Sequence, residues 1–262
     1  MLKMLARGAV TAKRKSFFSN DELEFQPSRT VRKSTLSVLA REQSGKLLQP
    51  DLFPNAGFEI SILAELLRQL ERKIPETIEV RGDLPLLIVL GEFLPLENQL
   101  WAIQTEKAWK SSHPENLLDQ HSDFTDPGFR SPHLPYLLID IELGKVTKGL
   151  DRNEAYAKVR ESDRLGLNIR EIISLSLHAN LFDQNERYFG VLESTVIRNP
   201  YSVLRSESPA FLYKDPVNHL NIFGGGGYWK RPIMIEGDEH ILYNLLLEVR
   251  WPSCARRILL FE

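Results

Sequence analysis

Two carboxylates two residues apart are the first groups in this chain that could carry out chemistry. Asp140 and Glu142 belong to the segment Tyr136–Leu143, where an apolar run passes into alternating polar and apolar residues. Such alternation predicts a β-strand, in which residues i and i+2 point to the same face of the sheet. A carboxylate pair of this kind binds a divalent cation or divides the roles of general acid and general base. We favour the simpler interpretation, a solvated face of a strand.

Cys254 is the single cysteine of the chain and its candidate nucleophile. Arg256 and Arg257 follow closely, and neighbouring guanidinium groups lower a thiol pKa and so favour the reactive thiolate. A cysteine nucleophile also needs a base, for which His178 on a predicted helix, His219 and His240 are the candidates. Free cysteines are mostly buried and inert, so we favour a structural role for Cys254 and a packed or solvated His178. Arg256 remains a candidate anion ligand.

Four consecutive glycines, at positions 224–227, precede an aromatic and basic segment. Glycines let backbone N–H groups approach a phosphate, and Trp229, Lys230 and Arg231 would add stacking and positive charge. The segment has neither the Gly-Lys-Ser/Thr ending nor the Gly-x-Gly-x-x-Gly spacing of the known phosphate fingerprints, so we favour a mobile loop. The six histidines include no pair at the spacing of a metal site, and we expect no metal and no cofactor.

The composition is that of an ordinary globular protein. Of 262 residues, 42% are hydrophobic and 26% charged, and the net charge is -2, which excludes the whole molecule as an electrostatic partner of nucleic acid or an anionic membrane. A lone cysteine excludes an intrachain disulfide and favours a reducing, cytoplasmic setting. No apolar run is long enough to span a bilayer.

Positive charge is concentrated at the beginning of the chain. Residues 1–33 carry eight basic and three acidic side chains. Lys13, Arg14 and Lys15 within this stretch are the one route by which we would expect nucleic acid to bind. A mobile, solvated tail is the interpretation that we favour.

The pattern along the chain predicts an α+β fold in a single domain, with helices packed on a mostly antiparallel sheet. Residues 1–50 are expected to form a flexible basic arm, and residues 51–262 the globular domain. The predicted elements are a helix from Glu59 to Pro75, a buried strand at Leu84–Leu90, a return strand beginning at Val146, helices opened by capping boxes at Asp151 and Asn168, and C-terminal strands that include Ile258–Phe261. The segment Ile241–Val249 fits a strand or a helix.

Three of these segments also resemble a protein family. Leu84–Leu90 is similar to a Leu-Pro-Phe-aliphatic strand, and Pro135–Thr147 to a Pro-Tyr-Leu-aliphatic-Asp-Val-x-x-Gly-x-x-Thr motif. Trp251–Arg257 looks like a Ser-Cys-Ala-x-Arg ending, and Glu171 lies where a Glu-Gly-aliphatic helix begins. Over roughly residues 55–258 the chain thus resembles an uncharacterised family of bacterial proteins, a domain of unknown function. The resemblance implies a bacterial, cytoplasmic protein and no particular activity.

The leading expectation is a non-catalytic binding or interaction protein, because no catalytic pattern outweighs its structural explanation. Its partner would be another protein or a second copy of the chain. The alternative is an enzyme, a hydrolase or transferase, with a diffuse site around Asp140 and Glu142 or around Cys254. That alternative needs several such groups to converge in one place with perturbed pKa values.

Overall fold

The computed structural model describes residues 25–53, 57, 59–107, 122–125, 129–179, 188–198, 206–214, 220–224 and 249–260. The helices in these residues are α1 (Lys33–Leu47), α2 (Ile60–Arg72), α3 (Leu96–Lys107), α4 (Arg152–Glu161) and α5 (Ile169–His178). The strands are β1 (Arg29–Arg32), β2 (Thr77–Val80), β3 (Leu84–Val89), β4 (Ser122–Thr125), β5 (Tyr136–Glu142), β6 (Leu165–Gly166), β7 (Tyr188–Arg198), β8 (Ser206–Lys214), β9 (Leu220–Gly224) and β10 (Ser253–Ile258).

The strands form three sheets, and every named pair of strands is antiparallel. The central sheet has the order β3-β5-β10-β6, a second sheet has the order β4-β7-β8-β9, and β1 pairs with β2. Helices combined with sheets whose named strand pairs are all antiparallel confirm the predicted α+β class. Among the described residues, no helix has the length and apolar character needed to cross a membrane.

Strand β5 lies at the centre of the core. All seven of its residues are buried, because β3 and β10 flank it on both edges and helices cover the central sheet. The predicted strand at this position is therefore confirmed, but its polar residues are buried instead of solvated. Asp140 is 2% exposed and Glu142 is 3% exposed. A buried carboxylate requires partners, and these determine the site described below.

The helices predicted from periodicity and capping are present. Helix α2 buries Leu63, Leu67 and Leu70 on one face, as its apolar spacing predicts. Helices α4 and α5 both begin with complete capping boxes. Asp151 accepts the backbone N–H of Glu154 at 2.9 Å, and the Glu154 side chain accepts the N–H of Asp151 at 3.0 Å.

The predicted flexible arm of residues 1–50 needs correction in its last part. Residues 29–47 form β1 and α1, and α1 buries Leu36, Ala40 and Leu47 in the core. Apart from these three residues, α1 is largely polar and leaves Val38 exposed, so its sequence has no clear apolar stripe. Tertiary packing against β3 and α2 holds the helix in place.

The return strand predicted at Val146 is also absent, because a turn takes its place. The Glu142 carboxylate accepts the backbone N–H groups of Lys145 at 2.5 Å and Val146 at 3.3 Å. Gly144 has a φ of 78°, and a Cβ atom there would lie 2.6 Å from the Trp251 nitrogen. The strand predicted at Ile258–Phe261 lies earlier in the chain: β10 spans Ser253–Ile258 and overlaps the prediction only at Ile258, because its two arginines interrupt the apolar pattern on which the prediction is based.

One side chain of α1 covers the free edge of the central sheet. Strand β3 pairs with β5 on one edge only, and Gln43 lies at its other edge. The Gln43 amide donates to the Leu86 carbonyl at 3.0 Å and accepts the N–H of Ile88 at 2.8 Å. The amide therefore takes the place of a neighbouring strand for two buried backbone groups.

Replacing this amide should destabilise the fold. We expect Gln43→Ala to lower the free energy of unfolding by about 1–3 kcal/mol, because it leaves the buried Leu86 carbonyl and Ile88 N–H unsatisfied. The neighbouring Glu42→Ala, at an exposed position of the same helix, should change it by less than about 0.5 kcal/mol. Urea unfolding measures both, and equal losses for the two variants would contradict the edge role of Gln43.

Candidate functional site

Asp140 is held in a strained conformation by a buried ion pair. Its φ is 56°, and its Oδ1 accepts the backbone N–H groups of Arg81 at 2.9 Å and Gly82 at 2.5 Å. Its Oδ2 lies 2.6 Å from a guanidinium nitrogen of Arg164, whose side chain is 0% exposed. Arg164 also donates to the Ser253 hydroxyl at 3.0 Å. These contacts leave Asp140 a structural anion that joins β5, β10 and the loop before β3.

Glu171 and Arg257 form a second buried ion pair, nearby on the same sheet. Arg257 donates to both carboxylate oxygens, at 2.6 and 2.8 Å, and its guanidinium lies 4.0 Å from the centre of the Phe129 ring. The Tyr136 hydroxyl donates to Glu171 at 3.0 Å, and the N–H of Asn168 donates at 2.8 Å. With four hydrogen bonds, this fully buried carboxylate is satisfied without a ligand.

Cys254 lies between the two ion pairs and is completely buried. Burial raises the pKa of its thiol to about 12, and the Glu171 charge raises it further, against the opposing effect of Arg257 and Arg164. The arginines predicted to activate the thiol include Arg257, but Arg257 is neutralised by Glu171. A protonated thiol out of contact with solvent is a poor nucleophile.

Glu142 does not share a ligand with Asp140. One of its carboxylate oxygens accepts N–H groups of the turn that follows β5, and its Oε2 is buried without a hydrogen bond within the described residues. Burial raises the pKa of Glu142, which three turn N–H groups oppose and the Asp83 charge reinforces. Across the part of the chain that the structure describes, no three His, Cys, Asp or Glu residues are placed to hold a metal ion.

The remaining predicted site residues are dispersed. His178 is half-buried at the end of α5, and Arg256 is exposed on β10. The predicted ligand loop and the basic residues of the arm lie outside the described residues: Trp229, Lys230, Arg231, Lys13, Arg14 and Lys15. The structure therefore does not bring the predicted nucleophile, base and anion ligands together in the described region.

A different set of residues converges where β7 departs from regular pairing. Val191 pairs with Ala210 of β8, but Thr195 pairs with the preceding Pro209, so the three residues between them form a bulge. The bulge turns towards β6 and α5. The N–H of Glu193 donates to the Leu167 carbonyl at 3.1 Å, and Ser194 Oγ accepts the first N–H of α5 at 2.8 Å. Bulges of this kind redirect side chains and are common beside functional sites.

Glu193 is the chemically notable residue of this bulge. It is only 9% exposed, and in the described part of the chain its carboxylate has no hydrogen bond and no ion pair. Burial raises its pKa and the Glu171 charge adds to the rise, whereas Arg257, Arg160 and Arg152 oppose it. Partial burial of a carboxylate disfavours its charged form, and titratable groups with a shifted pKa are common at functional sites.

Helix α4 presents a row of polar side chains beside this carboxylate. Arg152, Tyr156 and Arg160 follow at intervals of four residues and share one side of the helix. Arg160 donates to the Tyr156 hydroxyl at 2.9 Å and lies 4.5 Å from the centre of its ring. Arg152 donates to the Leu192 carbonyl of the bulge at 2.5 Å, and burial lowers its pKa. We call Glu193, Arg152, Tyr156 and Arg160 the bulge site.

Gly166 of β6 allows the bulge to approach the central sheet. A Cβ atom on Gly166 would lie 2.6 Å from the Leu192 Cβ and 3.1 Å from a carboxylate oxygen of Glu193. This site could not be predicted from the sequence, because a bulge depends on pairing between distant strands. The regular spacing of the two arginines and the tyrosine on a well-capped helix was the only signal available.

Comparison with known proteins adds no relatives: no family model, no curated protein and no solved structure matches the chain.

Loss of the Asp140 charge should cost more than loss of a comparable exposed charge. We expect Asp140→Asn to lower the free energy of unfolding by about 3–5 kcal/mol, because it leaves Arg164 buried without a counter-charge. Asp163→Asn is a matched control: Asp163 has a φ of 55° but is exposed. Its effect should stay within about 0.5 kcal/mol. Similar losses in chemical denaturation of the two variants would contradict the ion-pair role.

Loss of the Glu193 charge should instead stabilise the fold. The raised pKa means that the folded state binds the proton more tightly, so ionisation costs stability as the pH rises above the unfolded pKa. Glu193→Gln should therefore unfold at a higher temperature than the wild type at neutral pH. The gain should disappear below about pH 4, where the carboxyl is protonated in both states. Thermal unfolding over this pH range tests it, with the exposed Glu42→Gln as control. A less stable Glu193→Gln at neutral pH would be the contrary result.

Proposed function

We propose that the protein is a non-catalytic binding or interaction protein. The observation that most supports this proposal is that the chemically reactive side chains are held in buried structural contacts. Asp140 is neutralised by Arg164, Glu171 is neutralised by Arg257, and Cys254 is buried between the two pairs. A catalytic group must reach a substrate and change its protonation state, which groups fixed in these contacts do poorly.

The arrangement favours binding over the alternative enzyme for a second reason. Of the residues named for that enzyme, Asp140, Glu142 and Cys254 lie on the two central strands β5 and β10, below the surface. Substrate would have to displace core side chains to reach them. Glu193 at the β7 bulge, by contrast, lies near Arg152, whose guanidinium binds the adjacent Leu192 carbonyl, and arginine is frequent in recognition sites.

We further infer that the protein is bacterial and cytoplasmic. The resemblance of its Pro-Tyr-Leu and Ser-Cys-Ala segments to a bacterial family supports the first inference. The second is supported by the single buried thiol, Cys254, since a reducing compartment suits a protein without disulfides.

The reactivity of Cys254 tests the proposal against the thiol enzyme. We expect iodoacetamide at about pH 8 to leave the native protein unmodified, because a thiol with a pKa of about 12 has very little thiolate and no access to solvent. The unfolded chain should gain one carbamidomethyl group, and Cys254→Ala none, as measured by intact mass. Rapid labelling of the native protein, with a rate that titrates near neutral pH, would overturn the proposal in favour of a cysteine nucleophile.

A further inference from the structure

Residues 25–32, the first that the structure describes, cross the buried ion pair of Asp140 and Arg164, and we call this segment the strap. The centre of the Phe25 ring lies 5.1 Å from the guanidinium carbon of Arg164, whose side chain is 0% exposed. An aromatic ring over a desolvated guanidinium is a favourable contact. Phe25 is itself only half-buried, so its ring lies between the ion pair and the surface.

A second contact places the strap on the loop that holds Asp140. Arg29 donates to the Gly82 carbonyl at 3.4 Å, and the N–H of Gly82 donates to the Asp140 carboxylate at 2.5 Å. Asp140 has a φ of 56°, a conformation that costs energy in a residue other than glycine. The strap therefore covers a strained cluster of paired charges instead of an ordinary apolar surface.

Glu79 of β2 fastens the strap. Its side chain is exposed, and its two carboxylate oxygens accept the hydroxyls of Ser28 and Thr30, each at 2.6 Å. These two hydrogen bonds lower the pKa of Glu79, so the carboxylate is ionised and holds both hydroxyls at neutral pH.

Little buried surface keeps the strap closed. Phe25 and Val31 are half-buried, and the other six residues of the strap are exposed. Its pairing with β2 extends over four residues, whereas the helix α1 that follows buries three side chains in the core. Segments with few buried apolar contacts and solvent-exposed hydrogen bonds open at the lowest free energy. The strap can therefore open while α1 stays packed.

We propose that the strap is a releasable cover, closed by Glu79, that controls access to the Asp140–Arg164 pair. In the closed state Phe25 shields the guanidinium of Arg164. In the open state this guanidinium is reachable from the surface while Asp140 still holds it. Loss of the two hydroxyl contacts, or added negative charge beside Glu79, favours the open state, because neighbouring like charges repel. The device does not depend on the proposed binding function.

Amide hydrogen exchange of the full chain, read by mass spectrometry of its peptides, tests the proposal. Glu79→Ala removes both acceptors of the strap hydroxyls. It should speed exchange in residues 29–32 and 77–82 by about three- to tenfold, because it shifts the strap towards its open state. Exchange in α5 should stay unchanged, which shows that the fold is intact.

Two further variants assign the effect to the contact between Glu79 and the strap. Glu76→Ala is the matched control, since Glu76 is also exposed but pairs with Lys33, outside the strap. It should leave exchange as in the wild type. The double variant Ser28→Ala/Thr30→Ala removes the same hydrogen bonds from the other side and should match Glu79→Ala. Combining it with Glu79→Ala should add nothing.

Two results would overturn the proposal. One is equal exchange of the strap and of β2 in Glu79→Ala and Glu76→Ala. The other is a strap whose amides exchange only as slowly as those of α5, since it would then open only when the whole protein unfolds.

Discussion

The buried ion pair between Glu171 and Arg257 is the interaction on which the rest of the structure depends. It joins α5 to β10, and its partners extend it to β5 through Tyr136 and to β6 through the Gly166 carbonyl, which accepts from Arg257 at 2.7 Å. A fully buried carboxylate with four hydrogen bonds restricts how the surrounding helix and strands can pack. Loss of any one partner would leave part of its charge unsatisfied inside an apolar core. The position of Gly166 then sets how closely the β7 bulge approaches the sheet.

This framework explains why Asp140 and Cys254, two candidate catalytic residues in the sequence, are buried among structural contacts. Buried charges are stable only when they are paired with an opposite charge. Asp140 is therefore paired with Arg164, and Glu171 with Arg257. Glu193 differs because the bulge carries it to the margin of the framework, where no described residue completes its contacts. Burial raises the pKa of this carboxyl, so its ionised form is retained at a cost in stability.

Much of the fold could be predicted from the sequence because its signals are local. The apolar spacing of α2 and the capping box at Asp151 are each contained in one turn or two, and both predictions are confirmed. The burial of Asp140 and Glu171 could not be predicted, because their partners lie 24 and 86 residues away along the chain. The bulge site was missed for the same reason, since Glu193 is turned inward by a pairing irregularity with β8.

The titration of the Glu193 side chain is the measurement that tests this account most directly. Carbon-detected NMR of the full chain follows each glutamate carboxyl through its pKa, and Glu193→Gln assigns the signal. The account predicts that Glu193 titrates above the ordinary range of glutamate, because it is desolvated and has no hydrogen-bond partner. A pKa at or below that range would mean that the carboxylate already has its partner within the protein, and the central claim would be wrong.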